Sequence, residues 1–223
     1  MNRTTLFILT LVIVGGVFAA ATWFTPGSRT VTANSASGPI VTVASDELVQ
    51  SHSPILGRAD APVTIVEFSD PACEACRAFH PIVKRILAEN PETVRVVLRY
   101  TPFHGEGSEI AVAALEASRE QNVFEPVLEA LLARQSEWAS HDAPASDRIL
   151  EIASEAGLDP KRAQLVMRSP ETIGIINRDR AAVETFQIRG TPTFFVSGER
   201  LVEFSPEGLN RAVERAVLQA SAD

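Results

Sequence analysis

The sequence predicts an α/β fold in which a βαβ unit and a later ββα unit share one sheet, with a helical block inserted between them. Three observations carry this. Val63–Phe68 and Val94–Tyr100 are short apolar runs of strand length flanking a helical segment. From Thr101 to Gly190 the texture is helical throughout. Two β-runs, Thr193–Val196 and Arg200–Phe204, then lead into a terminal amphipathic helix.

Residues 1–24 read as a signal anchor or signal peptide. Thr5 to Phe24 holds no charge, and about 20 apolar residues suffice to span a bilayer as a helix. Arg3 and the amino terminus keep that end in the cytosol, so the body is expected on the exported side. Ala19-Ala20-Ala21 is the cleavage site of the signal-peptide reading. Trp23 and Phe24 extend the apolar run beyond it, which favours an uncleaved anchor. Residues 25–50 are rich in Pro, Gly, Ser, Thr and Ala and read as a flexible linker, with a helical turn near Asp46 to Gln50. A single domain follows over 51–223, its helical insertion spanning about 105–170.

His52 to Gly57 is expected to be a loop, since Pro54 disfavours helix at Ser53. Phe79, Ile82, Val83, Ile86 and Leu87 give the helix from Arg77 to Glu89 one buried face, and Pro81 lies inside it. Asn90-Pro91 stops that helix. In the insertion, Ser108 is expected to cap a helix from Glu109 to about Gln121, and a second runs from Phe124 to Gln135. A third begins at Ser146 or Asp147 and ends at Gly157. Asp159-Pro160 and Ser169-Pro170 each put a capping side chain before a proline at the first helical position. The same signature, Ser205-Pro206, opens the terminal helix. The segment Ser197-Gly198-Glu199 is expected to turn a hairpin between the last two strands.

Composition narrows the function classes. A content of 45% hydrophobic and 22% charged residues suits a globular core. A net charge of −8, with no basic stripe, gives nucleic-acid binding no electrostatic support.

Cys73 and Cys76 are the only cysteines, and they stand where the first strand gives way to a helix. Side chains at i and i+3 of a helix lie on one face, about 5–6 Å apart at Cβ, near disulfide range. At a helix N-terminus, Cys73 has unpaired amides and the macrodipole to stabilise a thiolate, which places its pKa between about 3.5 and 7.5. Cys73 is therefore the expected nucleophile and Cys76 the resolving thiol. Glu74, a carboxylate beside the sulfur, is expected to hold that pKa toward the upper part of the range. Glu67, mid-strand, reads either as an exposed edge position or as a partly buried acid that relays a proton to Cys76.

Val63-Thr-Ile-Val-Glu-Phe-Ser-Asp70, Cys-Glu-Ala-Cys, Phe79-His80-Pro81 and Gly190-Thr-Pro-Thr-Phe-Phe-Val196 together resemble the DsbA-like branch of the thioredoxin superfamily. The likeness covers about residues 55 to 220. It implies a thioredoxin fold with an inserted helical domain, and thiol–disulfide exchange on exported proteins at the periplasmic side of the bacterial inner membrane. It further implies a membrane redox partner and no cofactor. By the same likeness Pro192 is a cis-proline beside the dithiol, Thr191 offers backbone hydrogen bonds to a substrate strand, and Glu67 is the buried acid. Glu-Ala between the cysteines departs from the usual Pro-His or Pro-Tyr, so oxidase, reductase and isomerase stay open.

One alternative is a copper-handling protein, since Cys73, Cys76 and His80 fall at i, i+3 and i+7 and could hold a soft ion. Against it, His80 reads first as a helix-surface or packing residue. A purely structural disulfide is disfavoured, because so short a loop gains little entropic stabilisation.

Overall fold

In the computed structural model, residues 43–139 and 145–222 are described. The apolar segment Thr5–Phe24 lies outside them, and none of the described helices is long and apolar enough to cross a membrane. The strands are β1 (Ile55–Gly57), β2 (Val63–Ser69), β3 (Val94–Tyr100), β4 (Thr193–Val196) and β5 (Glu199–Arg200). They form one sheet in the order β1-β3-β2-β4-β5. β2 and β3 are parallel, whereas β1, β4 and β5 each pair antiparallel to their neighbour.

The helices are α1 (Ser45–Leu48), α2 (Glu74–Glu89), α3 (Glu106–Glu120), α4 (Phe124–Ala133), α5 (Ser146–Glu155), α6 (Pro160–Met167), α7 (Pro170–Thr185) and α8 (Pro206–Ala220). A 3₁₀ turn, Gln135–Glu137, follows α4. The crossover β2-α2-β3 is the βαβ unit, and β4-β5-α8 closes the sheet. This is an α/β thioredoxin-like fold, with α3 to α6 set between β3 and α7.

The sheet separates two apolar layers. Ile65, Val83, Val96 and Phe194 belong to the larger, which continues through α2, α8 and the inserted helices. Val66, Phe68, Val97, Val183 and Phe195 belong to the smaller, under α7 and α1. β2 is buried along nearly its whole length because it is paired on both sides and covered on both faces.

The proline-headed helices begin where capping chemistry puts them. The Asp159 carboxylate accepts from the Lys161 and Arg162 amides, and the Ser169 and Ser205 hydroxyls accept from Thr172 and Gly208. At the end of α5, Gly157 at φ 105° lets its own amide reach Ser154 and the Leu158 amide reach Ala153, a Schellman closure.

Four local expectations need correction. His52 to Gly57 is not all loop: Ile55–Gly57 pairs with β3 as an edge strand, too short for alternation to reveal. The tether expected over 25–50 does not extend to its last residues. Leu48 is fully buried, its carbonyl accepts from the Arg99 guanidinium at 2.7 Å, and the Val43 amide donates to Gly198. The hairpin turn is Ser197-Gly198 alone. Both residues have positive φ, 46° and 86°, the twist a two-residue hairpin requires, so β5 starts at Glu199 and ends at Arg200. Finally, α3 begins at Glu106, so Ser108 lies inside it and does not cap it.

Candidate active site

α2 starts one residue after Cys73, which holds extended backbone at φ −78° and ψ 123° as the N-cap. The turn before it is built by Asp70, which is fully buried. One carboxylate oxygen of Asp70 accepts from the Ala72 amide at 2.9 Å and the Ser108 hydroxyl at 2.7 Å. The other accepts from the Phe103 and His104 amides at 2.7 and 3.1 Å, and lies 2.7 Å from His104 Nδ1. The Asp70 amide in turn faces Cys76 Sγ at 3.4 Å. Gln135, also buried, donates through Nε2 to the carbonyls of Pro71 (2.7 Å) and Cys73 (3.0 Å). The inserted helices thus clamp the cysteine loop from outside the βαβ unit.

Asp70 and Gln135 were not legible as site residues. Asp70 left one faint signal, a short acidic side chain two residues before an amide it could accept from. Gln135 left none, because its partners are more than 60 positions away.

The two thiols are free, and their environments differ. Cys73 Sγ lies 3.2 Å from the carbonyl of Thr191, the residue that precedes a cis peptide to Pro192. Its pKa is pulled down to about 5. A hydrogen bond from the Cys76 thiol is the largest cause, partial burial opposes it, and the Thr191 side chain and the Cys76 and Ala75 amides add to it. Glu74 is exposed and is not among the causes. The expectation that it holds Cys73 in the upper part of the range is therefore corrected: water screens its charge, while the sulfur's own neighbours donate to it. Cys76, 1% exposed, is pushed strongly up, first by burial, then by its contact with Cys73 and the nearby Glu67 carboxylate.

Glu67 is not an edge residue. It pairs with Leu98 on one side and Phe194 on the other, and is 4% exposed. Burial raises its pKa to about 7, against a hydrogen bond from Ser69. It shares a small cavity lining with Cys76 and His80. Among the described residues no group of three His, Cys, Asp or Glu side chains is arranged to hold a metal, so the soft-metal alternative has no geometric support there.

The raised Glu67 has a consequence for stability. The folded state binds its proton more tightly than the unfolded chain, so its contribution is intact below about pH 4.5 and is lost as pH rises through about 7. The depressed Cys73 gives the opposite slope at higher pH, so the comparison belongs in a Cys73→Ser background. There, Glu67→Gln should remove a fall of roughly 3 kcal/mol between pH 4.5 and pH 8, read from urea midpoints. An unchanged fall would assign it to another group.

A family model described as Thioredoxin matches residues 50–215. A thioredoxin-like oxidoreductase of Silicibacter pomeroyi superposes with a TM-score of 0.69 at 33% identity, covering 78% of this chain and 98% of that one. BdbD of Bacillus subtilis gives 0.70 at 22% identity, over 81% and 100%, a likeness of fold. A Na(+)/H(+) antiporter NhaA of Herminiimonas arsenicoxydans is 34% identical over 147 residues, 66% of this chain and 22% of the relative. The chain spans about a quarter of the length of this and the two next curated relatives. With the sheet order, the helix-capping Cys73 and the cis peptide at Pro192, these findings agree: the chain belongs to the thioredoxin family.

Proposed function

We propose that the chain is a thiol–disulfide oxidoreductase acting on exported proteins, with Cys73 as nucleophile and Cys76 as resolving thiol. The observation that carries this is the divergence of the two thiols: one is held as a thiolate near neutral pH, the other is buried and protonated. A substrate thiolate attacks the oxidised pair at Cys73, forming a mixed disulfide and releasing Cys76 as a thiolate, which takes a proton. In the reverse direction the Cys76 thiol gives up its proton to Glu67 and attacks Cys73, expelling the substrate thiolate. Pro192 follows Thr191, whose carbonyl lies 3.2 Å from Cys73 Sγ, and in this reading the Thr191 backbone is offered to an extended substrate strand.

The domain reading remains the one drawn from sequence: a signal anchor or signal peptide over 1–24, then a linker, then the catalytic domain. It carries export, the periplasmic side of the inner membrane, and a membrane redox partner. Export and the side of the membrane rest on the uncharged Thr5–Phe24 segment behind Arg3, and the redox partner rests on the family resemblance.

The thiolate bears on the redox poise of the pair. A pKa of about 5 falls between the roughly 7 and 3.5 of a strong reductant and a strong oxidant, whose potentials are about −270 and −120 mV. The Cys73–Cys76 couple, equilibrated against glutathione, should therefore lie between those two potentials, able to pass electrons either way. A value at either extreme overturns the intermediate reading, and failure to form the pair's disulfide overturns the enzymatic one.

A further inference from the structure

Glu67 has no exit of its own. It is 4% exposed, so a proton accepted from Cys76 must cross protein to reach water. The cavity it shares with Cys76 measures about 20 Å³ and is also lined by Tyr100 and His80. A space of about 10–15 Å³ is enough for one water. Beyond it lies a more open pocket of about 340 Å³, lined by Lys84, Glu125 and Glu129. Leu56, Leu128 and His80 border both spaces, and only His80 is polar. Its Nε2 is buried without a hydrogen-bond partner among the described residues. Such an atom is costly unless something in the cavity bonds to it.

We propose that His80 is the proton exit of this site: through water in the inner cavity it takes the proton that Glu67 accepted from Cys76 and passes it to the outer pocket. This rests on the reading of Glu67 as proton acceptor. In the resolving step the Cys76 proton moves to the Glu67 carboxylate, Cys76 sulfur bonds to Cys73 sulfur, and the Cys73–substrate disulfide breaks with the electron pair leaving on the substrate thiolate. Glu67 then returns to carboxylate as the neutral His80 ring becomes imidazolium, and the ring releases the proton to solvent. The reverse order supplies a proton to Cys76 when it is the leaving group.

The titratable groups lining the two spaces that His80 borders are Glu67 from β2, Cys76 and Lys84 from α2, Tyr100 from β3, and Glu125 and Glu129 from α4. Burial chiefly, and Lys84, weaken the ring's hold on a proton, while Glu129 strengthens it. A ring that does not retain its proton suits a relay.

The test follows the resolution of a mixed disulfide between Cys73 and a cysteine-containing peptide by stopped flow. His80→Ala should resolve it about 10- to 100-fold more slowly. The equilibrium redox potential should be unchanged, since a relay alters rates alone. Added imidazole should restore the rate, and His80→Gln, which packs but does not titrate, should be as slow. In a Glu67→Gln background, His80→Ala should add no further slowing. A parent-like rate in His80→Ala and His80→Gln, with Glu67→Gln slow, overturns the proposal and leaves the Glu67 reading standing. A parent-like rate in Glu67→Gln overturns both. Slowing that imidazole does not rescue, accompanied by a changed potential, assigns His80 to packing and overturns it too.

Discussion

Cys73→Ser is expected to reduce disulfide exchange to the uncatalysed level, and Cys76→Ser to arrest it at a mixed disulfide on Cys73. The reason is positional: Cys73 caps α2, and its sulfur receives the Cys76 thiol, the Thr191 side chain and two amides, whereas Cys76 is buried one turn along. In the reduced protein, alkylation of Cys73 by iodoacetamide should rise with pH through a midpoint near 5 and level off above it, because only the thiolate reacts. Removing the main donor by Cys76→Ala should move that midpoint upward. A midpoint near 8.5, the value of an ordinary thiol, would remove the nucleophile assignment. Exchange that persisted in Cys73→Ser would remove the enzymatic reading.

The largest expected loss of stability comes from Asp179→Ala, far in sequence from the cysteines. Asp179 projects from α7, fully buried, and accepts from Arg99 Nε and the Tyr100 amide, both at 2.7 Å, with His52 Nε2 2.9 Å away. Arg99 is itself only 2% exposed and donates onward to the Leu48 carbonyl. Alanine at 179 leaves that guanidinium buried and uncompensated, a loss of about 3–5 kcal/mol. Urea unfolding should show a lower midpoint with an unchanged slope. Replacing both partners, as in Arg99→Met with Asp179→Leu, should recover part of the loss, since no charge is then stranded. A loss below about 1 kcal/mol in Asp179→Ala would mean that water or another group satisfies Arg99. Tyr100, donating to Glu116 at 2.7 Å, extends the same polar seam into α3, so the helical insertion and the sheet are joined by charge as well as by apolar packing.

Local chemistry determined much of this protein directly from the sequence. Apolar runs marked β2, β3 and β4, because a strand covered on both faces is apolar along most of its length. Ser-Pro and Asp-Pro pairs marked the starts of α6, α7 and α8, because capping and a fixed φ act within three residues. The cysteine spacing at a strand-to-helix junction marked the dithiol, whose first sulfur caps α2. Tertiary structure decided whatever depended on partners distant in the chain. Glu67 could have been an edge residue until Phe194, more than a hundred positions later, paired beside it. Glu74 looked influential as Cys73's covalent neighbour, but its exposure gives its charge to water. Asp70 and Gln135 looked ordinary until the cysteine loop closed over them, and His80 gained meaning only from the two spaces it separates. Burial and electrostatics are sums over neighbours in space, and a sequence orders neighbours only along the chain.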